Sequence, residues 1–219
     1  MTAIQAVLFD LDGTLVDTAA DLLGTLEDLR SELGLPALPA PLPAAVAARG
    51  GRGILSLGLP EIADAAERWL PRYLEIYTDR LARCSRPYPG VEALLQRLQA
   101  RGTRLAIVSN KPEALARQLI TALGWQRVFG CLVGGDTLSV RKPAPEPIWH
   151  ACAALGVSAD RSLMVGDDRR DIDSARAAGC AGAIAAAYGY IEADDTPLHW
   201  QADRIAAQPA DLQQLLDWH

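Results

Sequence analysis

Residues 4–17 of the chain read IQAVLFDLDGTLVD. A short apolar run, typical of a buried strand, ends on two carboxylates, Asp10 and Asp12, and then on Gly13 and Thr14. The alternate spacing points both carboxylates to the same side of an extended segment, so we expect them to lie together at the carboxyl end of the strand. Neighbouring acids repel each other unless a cation, a shared proton or a reaction requires them. Because Gly13 permits a sharp turn and Thr14 adds a hydroxyl, the stretch predicts a site for a metal ion and an anion.

The composition is that of a globular protein with an acidic balance. Half of the 219 residues are hydrophobic and the formal net charge is −6, which argues against a nucleic-acid binder with a basic face. No apolar stretch approaches the length of a membrane span and no leader precedes the acidic motif, so we expect a cytoplasmic protein without a membrane partner. The four cysteines are scattered singly, which predicts free thiols in a reduced compartment. We expect a monomer or a homodimer.

The pattern between residues 17 and 87 is helical throughout. Prolines separate three candidate helical segments, which are residues 18–33, 44–59 and 60–83. Thr18 and Asp21 have the spacing of a capping box at the start of the first segment. We expect Pro71 to kink or divide the last one.

From about residue 88 onward, helical patterns alternate with short aliphatic runs. These runs lie near residues 104–109, 131–134, 162–166 and 182–187. Strands that are apolar on both faces and separated by helices predict an α/β fold with a parallel sheet flanked by helices. The first strand belongs to the same sheet, so the predicted domains are a core of residues 1–16 and 88–219 and an inserted all-helical cap of residues 17–87. We expect this cap to lie over the carboxyl ends of the strands, where ligands bind in such sheets.

Polar residues follow several of the predicted strands. Beside Asp10 and Asp12, the candidates from other strand ends and loops are Ser109, Asn110, Lys142, Asp167, Asp168 and Asp171. The carboxyl ends of parallel strands meet at one edge of the sheet, so these side chains are expected to converge. A phosphomonoester would be repelled by so many acids unless a hard cation such as Mg²⁺ bridged them. One carboxylate, Asp10, can then attack phosphorus while Asp12 protonates the leaving oxygen and later activates water.

Four motifs in this order resemble the haloacid dehalogenase-like superfamily. They are DLDGTLVD at residues 10–17, Ser109-Asn110, Lys142-Pro143 and GDDRRD at residues 166–171. The resemblance covers the whole chain and implies a Rossmann-like core with a helical cap inserted between the first two motifs. It also implies roles for individual residues: Asp10 as nucleophile, Asp12 as acid and base, a Mg²⁺ site at Asp10, the Asp12 carbonyl and Asp167, and phosphate contacts from Thr14, Ser109, Asn110 and Lys142. Asp171 would then hold metal-bound water or Lys142.

Within that superfamily the chain is most similar to the phosphoglycolate phosphatase group. A narrower resemblance, to bacterial N-acetylmuramic acid 6-phosphate phosphatases, rests on residues 166–172, on the run YGYI at 188–191, on residues 195–197 and on Trp200. It implies hydrolysis of a small phosphorylated metabolite, with a role in cell-wall recycling if the narrower likeness holds.

Several assignments stay open at the level of the sequence. Asp168 either supports a metal ligand or is an exposed loop acid, and Lys142 taken alone is also compatible with a solvated loop. The cap arginines Arg49 and Arg52 either bind a substrate carboxylate or belong to a solvated turn. The stripe of Trp69, Tyr73 and Tyr77 is more typical of a cap core than of a substrate platform.

Three other activities remain to be weighed against phosphomonoester hydrolysis. A dehalogenase would not need the second acid, Asp12, and a phosphonatase would need a lysine in the cap, where the sequence has none. A sugar-phosphate mutase is compatible with the motifs. A non-enzymatic regulatory protein on the same fold is the remaining alternative, although every reactive group is present.

Overall fold

A computed structural model describes residues 3–216 of the chain. These residues contain eight strands: β1 (Ala6–Phe9), β2 (Val16–Asp17), β3 (Arg86–Pro87), β4 (Arg104–Val108), β5 (Cys131–Val133), β6 (Ser162–Gly166), β7 (Gly182–Ala186) and β8 (Arg204–Ala206). The α-helices are α1 (Ala19–Glu32), α2 (Gly50–Gly58), α3 (Ala65–Arg80), α4 (Val91–Ala100), α5 (Glu113–Ala122), α6 (Glu146–Leu155), α7 (Arg169–Ala178) and α8 (Leu212–Leu215). Within residues 3–216 no helix has both the length and the apolar character needed to cross a membrane.

The main sheet has six parallel strands in the order β5–β4–β1–β6–β7–β8. Its central strand β1 is buried on both faces: Phe9 packs into one apolar layer and Leu8 into the other. The predicted α/β fold with a parallel sheet flanked by helices is therefore confirmed. The last strand, β8, was not predicted, because a three-residue run that is only partly buried gives no periodic signal.

The order of the strands brings three chemically active segments together. Because β4 and β6 are the two neighbours of β1, the residues that follow these three strands emerge side by side at one edge of the sheet. Asp10 follows β1, Ser109 follows β4 and Asp167 follows β6. The order of the strands thus brings these residues to the same edge of the sheet.

Strands β2 and β3 form a separate antiparallel pair, in which Val16 lies opposite Pro87 and Asp17 opposite Arg86. Between them run α1, α2 and α3, which we call the helical insert. The insert has its own apolar cluster, with Leu29, Ile54 and Tyr73 fully buried in it. Helix α3 continues from Ala65 to Arg80 through Pro71, so the proline does not divide the helix.

The expected capping box at the start of α1 is not formed. Asp21 binds residues near the end of the insert instead. Its carboxylate is fully buried and accepts hydrogen bonds from the Ser85 backbone N–H (2.8 Å) and hydroxyl (2.6 Å) and from the Cys84 N–H (3.0 Å). Asp21 therefore fastens the first helix of the insert to the segment that returns to the core.

Replacing this carboxylate should cost stability. The Asp21→Ala substitution leaves three donors without an acceptor, so we expect the free energy of unfolding to fall by about 2–3 kcal/mol in urea titrations. A control is Asp28→Ala in the same helix, which removes only a surface contact with Arg80 and should cost about 0.5 kcal/mol. Equal losses for the two variants would contradict the role given to Asp21.

Candidate active site

A cavity of about 330 Å³ lies where β1, β4 and β6 end. The core contributes Asp10, Asp12, Ser109, Asn110 and Asp167 to its wall, and the helical insert contributes the opposite side, including Tyr73 and Tyr77. Most of the predicted site residues are thus brought to one place. Lys142, Asp171 and Thr14 lie behind this wall. Lys142 contacts Asp10 and Thr14 contacts Asp167, whereas Asp171 contacts Lys142.

Lys142 is the buried cation of the site. Its Nζ lies 3.0 Å from Asp10 Oδ1 and 2.5 Å from Asp171 Oδ1, and it donates a hydrogen bond to the Val108 carbonyl (2.6 Å). Burial alone would lower the pKa of Lys142, but the Asp10 and Asp171 carboxylates outweigh it and raise the pKa above its usual value. The lysine is therefore charged, and it fixes the side of Asp10 that faces the protein.

Asp167 is a buried carboxylate with two donors from the protein. It accepts hydrogen bonds from the Thr14 hydroxyl (2.6 Å) and from the Tyr190 backbone N–H (2.8 Å). Burial raises the pKa of Asp167 well above its ordinary range, and the negative charges of Asp10 and Asp171 act in the same direction. The expectation that the Thr14 hydroxyl faces a phosphate needs correction, since the side chain is fully buried and is directed to Asp167.

Three carboxylates have the arrangement of a metal site. One oxygen each from Asp10, Asp167 and Asp171 lie within 4.8 Å of one another. Hard oxygen ligands that are partly desolvated and mutually repulsive suit a small divalent cation such as Mg²⁺. Burial raises the pKa of Asp171 to about 7 although Lys142 opposes this shift, so the cluster is unfavourable as a set of bare charges. The residues present fit the expected metal, with Asp10 and Asp167 as ligands and Asp171 behind them on Lys142.

Asp12 has a lysine partner that the sequence analysis did not assign. The Lys111 Nζ lies 3.1 and 3.2 Å from the two Asp12 carboxylate oxygens and donates to the Tyr77 hydroxyl (2.8 Å). Burial alone would lower the pKa of Lys111, but Asp12 and Tyr77 raise it. The sequence held a signal for this residue, because Lys111 is one of only two lysines in the chain and directly follows the Ser109-Asn110 motif.

Ser109 and Asn110 occupy the predicted edge of the sheet. The Asn110 Nδ2 donates to the Lys142 carbonyl (3.0 Å), which anchors the loop that carries the buried lysine. The Ser109 hydroxyl lines the cavity and accepts a long hydrogen bond from the Lys111 backbone N–H (3.3 Å). Their contacts with a phosphate stay predictions.

Asp168 is not an exposed loop acid, and its role in supporting a metal ligand stays a prediction. It is the N-cap of α7, where it accepts from the Arg170 backbone N–H (2.8 Å), and Asp171 closes the capping box by accepting from the Asp168 N–H. The Arg170 guanidinium holds the pKa of Asp168 below its usual value, although burial opposes this shift. The same guanidinium donates to the Ala48 carbonyl (2.9 Å), so this pair connects the core with the chain of the insert.

Arg49 and Arg52 both line the cavity, but each is paired with a carboxylate of the protein. Arg49 Nε donates to Glu192 Oε1 (2.7 Å), and Arg52 forms an ion pair with Glu67. Both arginines are largely exposed and their partners are accessible to solvent. Recognition of a substrate by either one stays a prediction.

The parallel sheet, the aspartate pair after β1 and the buried lysine together define a hydrolase of the haloacid dehalogenase-like class. A family model described as haloacid dehalogenase-like hydrolase matches residues 7–185. The chain belongs to this family.

Similarity to individual proteins indicates the class of enzyme within this family. The chain is 44% identical to a protein of Xanthomonas campestris named phosphoglycolate phosphatase, over 98% of this chain and 97% of that one. It is 39% identical to the N-acetylmuramic acid 6-phosphate phosphatase of Pseudomonas aeruginosa, over 98% and 95%. A crystal structure of a predicted phosphoglycolate phosphatase from Haemophilus somnus superposes with a TM-score of 0.86 at 28% identity, covering 99% of this chain and 100% of that one. The predicted family and the predicted enzyme class, a phosphatase, are confirmed by these likenesses.

The substitution Gly13→Ala tests how closely the turn after Asp12 packs against Asp167. A Cβ on Gly13 would lie 2.0 Å from Asp167 Oδ2, and the residue has φ +83°. We expect Gly13→Ala to displace Asp167, to weaken Mg²⁺ binding in calorimetric titrations by roughly tenfold or more and to abolish most activity, since the ligand oxygen itself must move.

The matched control is Gly124→Ala. Gly124 has a similar φ of +74° but nothing within 4 Å of its Cβ position. This variant should lose only about 1 kcal/mol of stability from backbone strain and should bind the metal normally. Normal Mg²⁺ binding by Gly13→Ala would show that Asp167 is not held as described.

Proposed function

We propose that the protein is a Mg²⁺-dependent phosphomonoester hydrolase that acts through a phosphorylated aspartate, Asp10. The observation that carries this proposal is the position of Asp10, which lines the cavity while one of its oxygens contacts the buried Lys142. A carboxylate held from behind by a cation presents its free oxygen in a fixed direction, as a nucleophile requires. The phosphatase names of the relatives support the same reaction class.

The first step breaks the ester bond of the substrate. An Asp10 carboxylate oxygen attacks phosphorus, the P–O bond to the organic group breaks, and the electron pair leaves with the organic oxygen. Asp12 donates its proton to that oxygen, so the alcohol departs and a phosphoryl group remains on Asp10.

The second step regenerates the enzyme. Asp12 accepts a proton from a water molecule, whose oxygen attacks phosphorus and releases inorganic phosphate from Asp10. Lys111 contacts both oxygens of Asp12, so it fixes the direction in which the carboxylate faces the cavity. The Ser109 hydroxyl, from a residue that lines the cavity, is assigned to the phosphate oxygens. Lys142 lies behind Asp10 and acts through that carboxylate instead of making the predicted phosphate contact.

A Mg²⁺ ion bound by Asp10 and Asp167 would supply positive charge to the phosphate. The protein's own part is to hold both carboxylates in place: Lys142 orients Asp10, and Thr14 with the Tyr190 N–H orients Asp167. The fit of these oxygen ligands is the support for Mg²⁺ in particular.

The substrate is proposed to be a small acid that carries a phosphate. Residues 17–87 would act as the cap that encloses it, because the insert forms one side of a cavity of about 330 Å³. The relatives are named for phosphoglycolate and N-acetylmuramic acid 6-phosphate, which are both carboxylic acids. Within residues 3–216, Arg141 lines the cavity without an ion pair, whereas Arg49, Arg52 and Arg170 have carboxylate partners.

A cytoplasmic location and a role in metabolite turnover belong to the same proposal.

Phosphate release tests the reaction directly. We expect the wild-type protein to release phosphate from p-nitrophenyl phosphate only with Mg²⁺, and to favour phosphoglycolate or N-acetylmuramic acid 6-phosphate over sugar phosphates without a carboxylate by kcat/KM. Chelation of the metal and Asp10→Asn should each abolish release, whereas the surface control Asp173→Asn, which only loses a contact with Arg169, should remain active. Full activity of Asp10→Asn would contradict the proposed nucleophile, and equilibration of sugar phosphates with little release would indicate a mutase.

The role of Lys111 can be separated from that of the nucleophile. Lys111→Met removes the partner of both Asp12 oxygens, so we expect kcat to fall by roughly a hundredfold while the Mg²⁺ dependence stays the same. Tyr77→Phe, which removes only the hydroxyl beyond the lysine, should have a smaller effect in the same direction. A Lys111→Met enzyme with the wild-type kcat would show that Asp12 is positioned without it.

A further inference from the structure

The hydroxyl of Tyr190 lies at the first turn of α1, although the two segments are far apart in the sequence. It accepts hydrogen bonds from the backbone N–H groups of Thr18 (2.6 Å) and Ala19 (2.8 Å) and donates one to Asp17 Oδ1 (2.9 Å). The first N–H groups of a helix have no partner within the helix, and Thr18 supplies no side-chain cap here. A residue from the far side of the core therefore caps the first helix of the insert.

The backbone of the same residue holds the acidic cluster. The Tyr190 N–H donates to Asp167 Oδ2 (2.8 Å), and a Cβ on the preceding Gly189 would lie 2.5 Å from the same oxygen. The Tyr190 ring is buried in the apolar cluster of the insert and also lines the cavity. One residue thus contacts a proposed metal ligand through its amide and the insert through its ring and hydroxyl.

The capped turn is also where the chain leaves the core. Asp17 is the last residue of β2, it pairs with Arg86 on the returning strand, and α1 begins two residues later. Contacts that hold the turn between β2 and α1 therefore also hold the start of α1. They thereby position the side of the cavity that the insert provides.

We propose that Tyr190 is a positioning residue that holds the helical insert in register with Asp167, so that the two sides of the cavity stay aligned for the substrate. The kinetic part of this inference rests on the proposed phosphatase function, whereas its structural part rests on the contacts alone. Without the hydroxyl, the Thr18 N–H loses its acceptor and the Ala19 N–H keeps the longer contact with Asp17 Oδ1 (3.2 Å). Ordering that turn then becomes part of the cost of substrate binding.

The variant that isolates the hydroxyl is Tyr190→Phe, because it keeps the ring and the N–H bond to Asp167. Hydrogen exchange, followed by mass spectrometry, should become roughly tenfold faster for the amides at residues 18 and 19, as expected for the loss of a buried hydrogen bond. KM for the phosphomonoester that the wild type hydrolyses best should rise by a similar factor while kcat changes little. The Mg²⁺ concentration for half-maximal activity should not change, since Asp167 keeps its donor.

Tyr188→Phe is the matched control. Its hydroxyl donates to the Thr14 carbonyl (2.9 Å) in the core and has no contact with the start of α1. The control should leave exchange at residues 18 and 19 as in the wild type, even if it lowers the melting temperature. A purely structural role for Tyr190 would likewise lower the melting temperature without a selective change in KM.

Unchanged exchange at residues 18 and 19 in a folded Tyr190→Phe protein would overturn the proposal, and so would a shift in Mg²⁺ dependence with KM unaltered. If that variant does not fold, Asp17→Ala removes the acceptor of the same hydroxyl and must accelerate exchange at residue 18 for the proposal to stand. Residue 18 is the readout because the Ala19 N–H also donates directly to Asp17 Oδ1 (3.2 Å). If the wild type hydrolyses none of the phosphomonoesters, the proposed function fails, but the exchange measurement still decides whether Tyr190 holds the insert.

Discussion

The contact of Lys142 with Asp10 and Asp171 is the interaction on which the site depends. Three carboxylates, those of Asp10, Asp167 and Asp171, come within 4.8 Å of one another at the end of the central strand. In their ionised forms they carry three negative charges, and the buried ammonium compensates one of them. The proposed divalent cation would balance the remaining two charges.

The sheet brings these groups together, and the contacts between core and insert complete the cavity. β1 lies between β4 and β6, so three strand ends meet without any long loop. From the insert side, Tyr77 accepts a hydrogen bond from Lys111, which contacts the proposed acid and base. From the core side, Arg170 donates to the Ala48 carbonyl of the insert. Each of these contacts involves a core residue in or next to a predicted motif, Lys111 or Arg170, so the position of the insert and the geometry of the site are not independent.

The parts of the site that could be predicted from sequence are those that depend on local spacing. Asp10, Ser109 and Asp167 each directly follow a strand, and the parallel arrangement alone places them together. The contacts that were wrong or missed depend on residues far apart in the chain. Thr14 points to Asp167, Asp21 binds Ser85, and Lys111 contacts Asp12 across 99 positions. Such pairings leave no periodic or composition signal, because each requires the packed structure to exist first.

The central claim, that Asp10 carries the phosphoryl group, is tested most directly by trapping the intermediate. The Asp12→Asn protein, mixed with Mg²⁺ and its best phosphomonoester, can be quenched in acid, reduced with borohydride and mapped by mass spectrometry. Borohydride converts a phosphorylated aspartate to homoserine, so we expect homoserine at position 10 and unmodified aspartate at positions 167 and 171. Turnover without any modification at position 10, or with modification at another carboxylate, would contradict it.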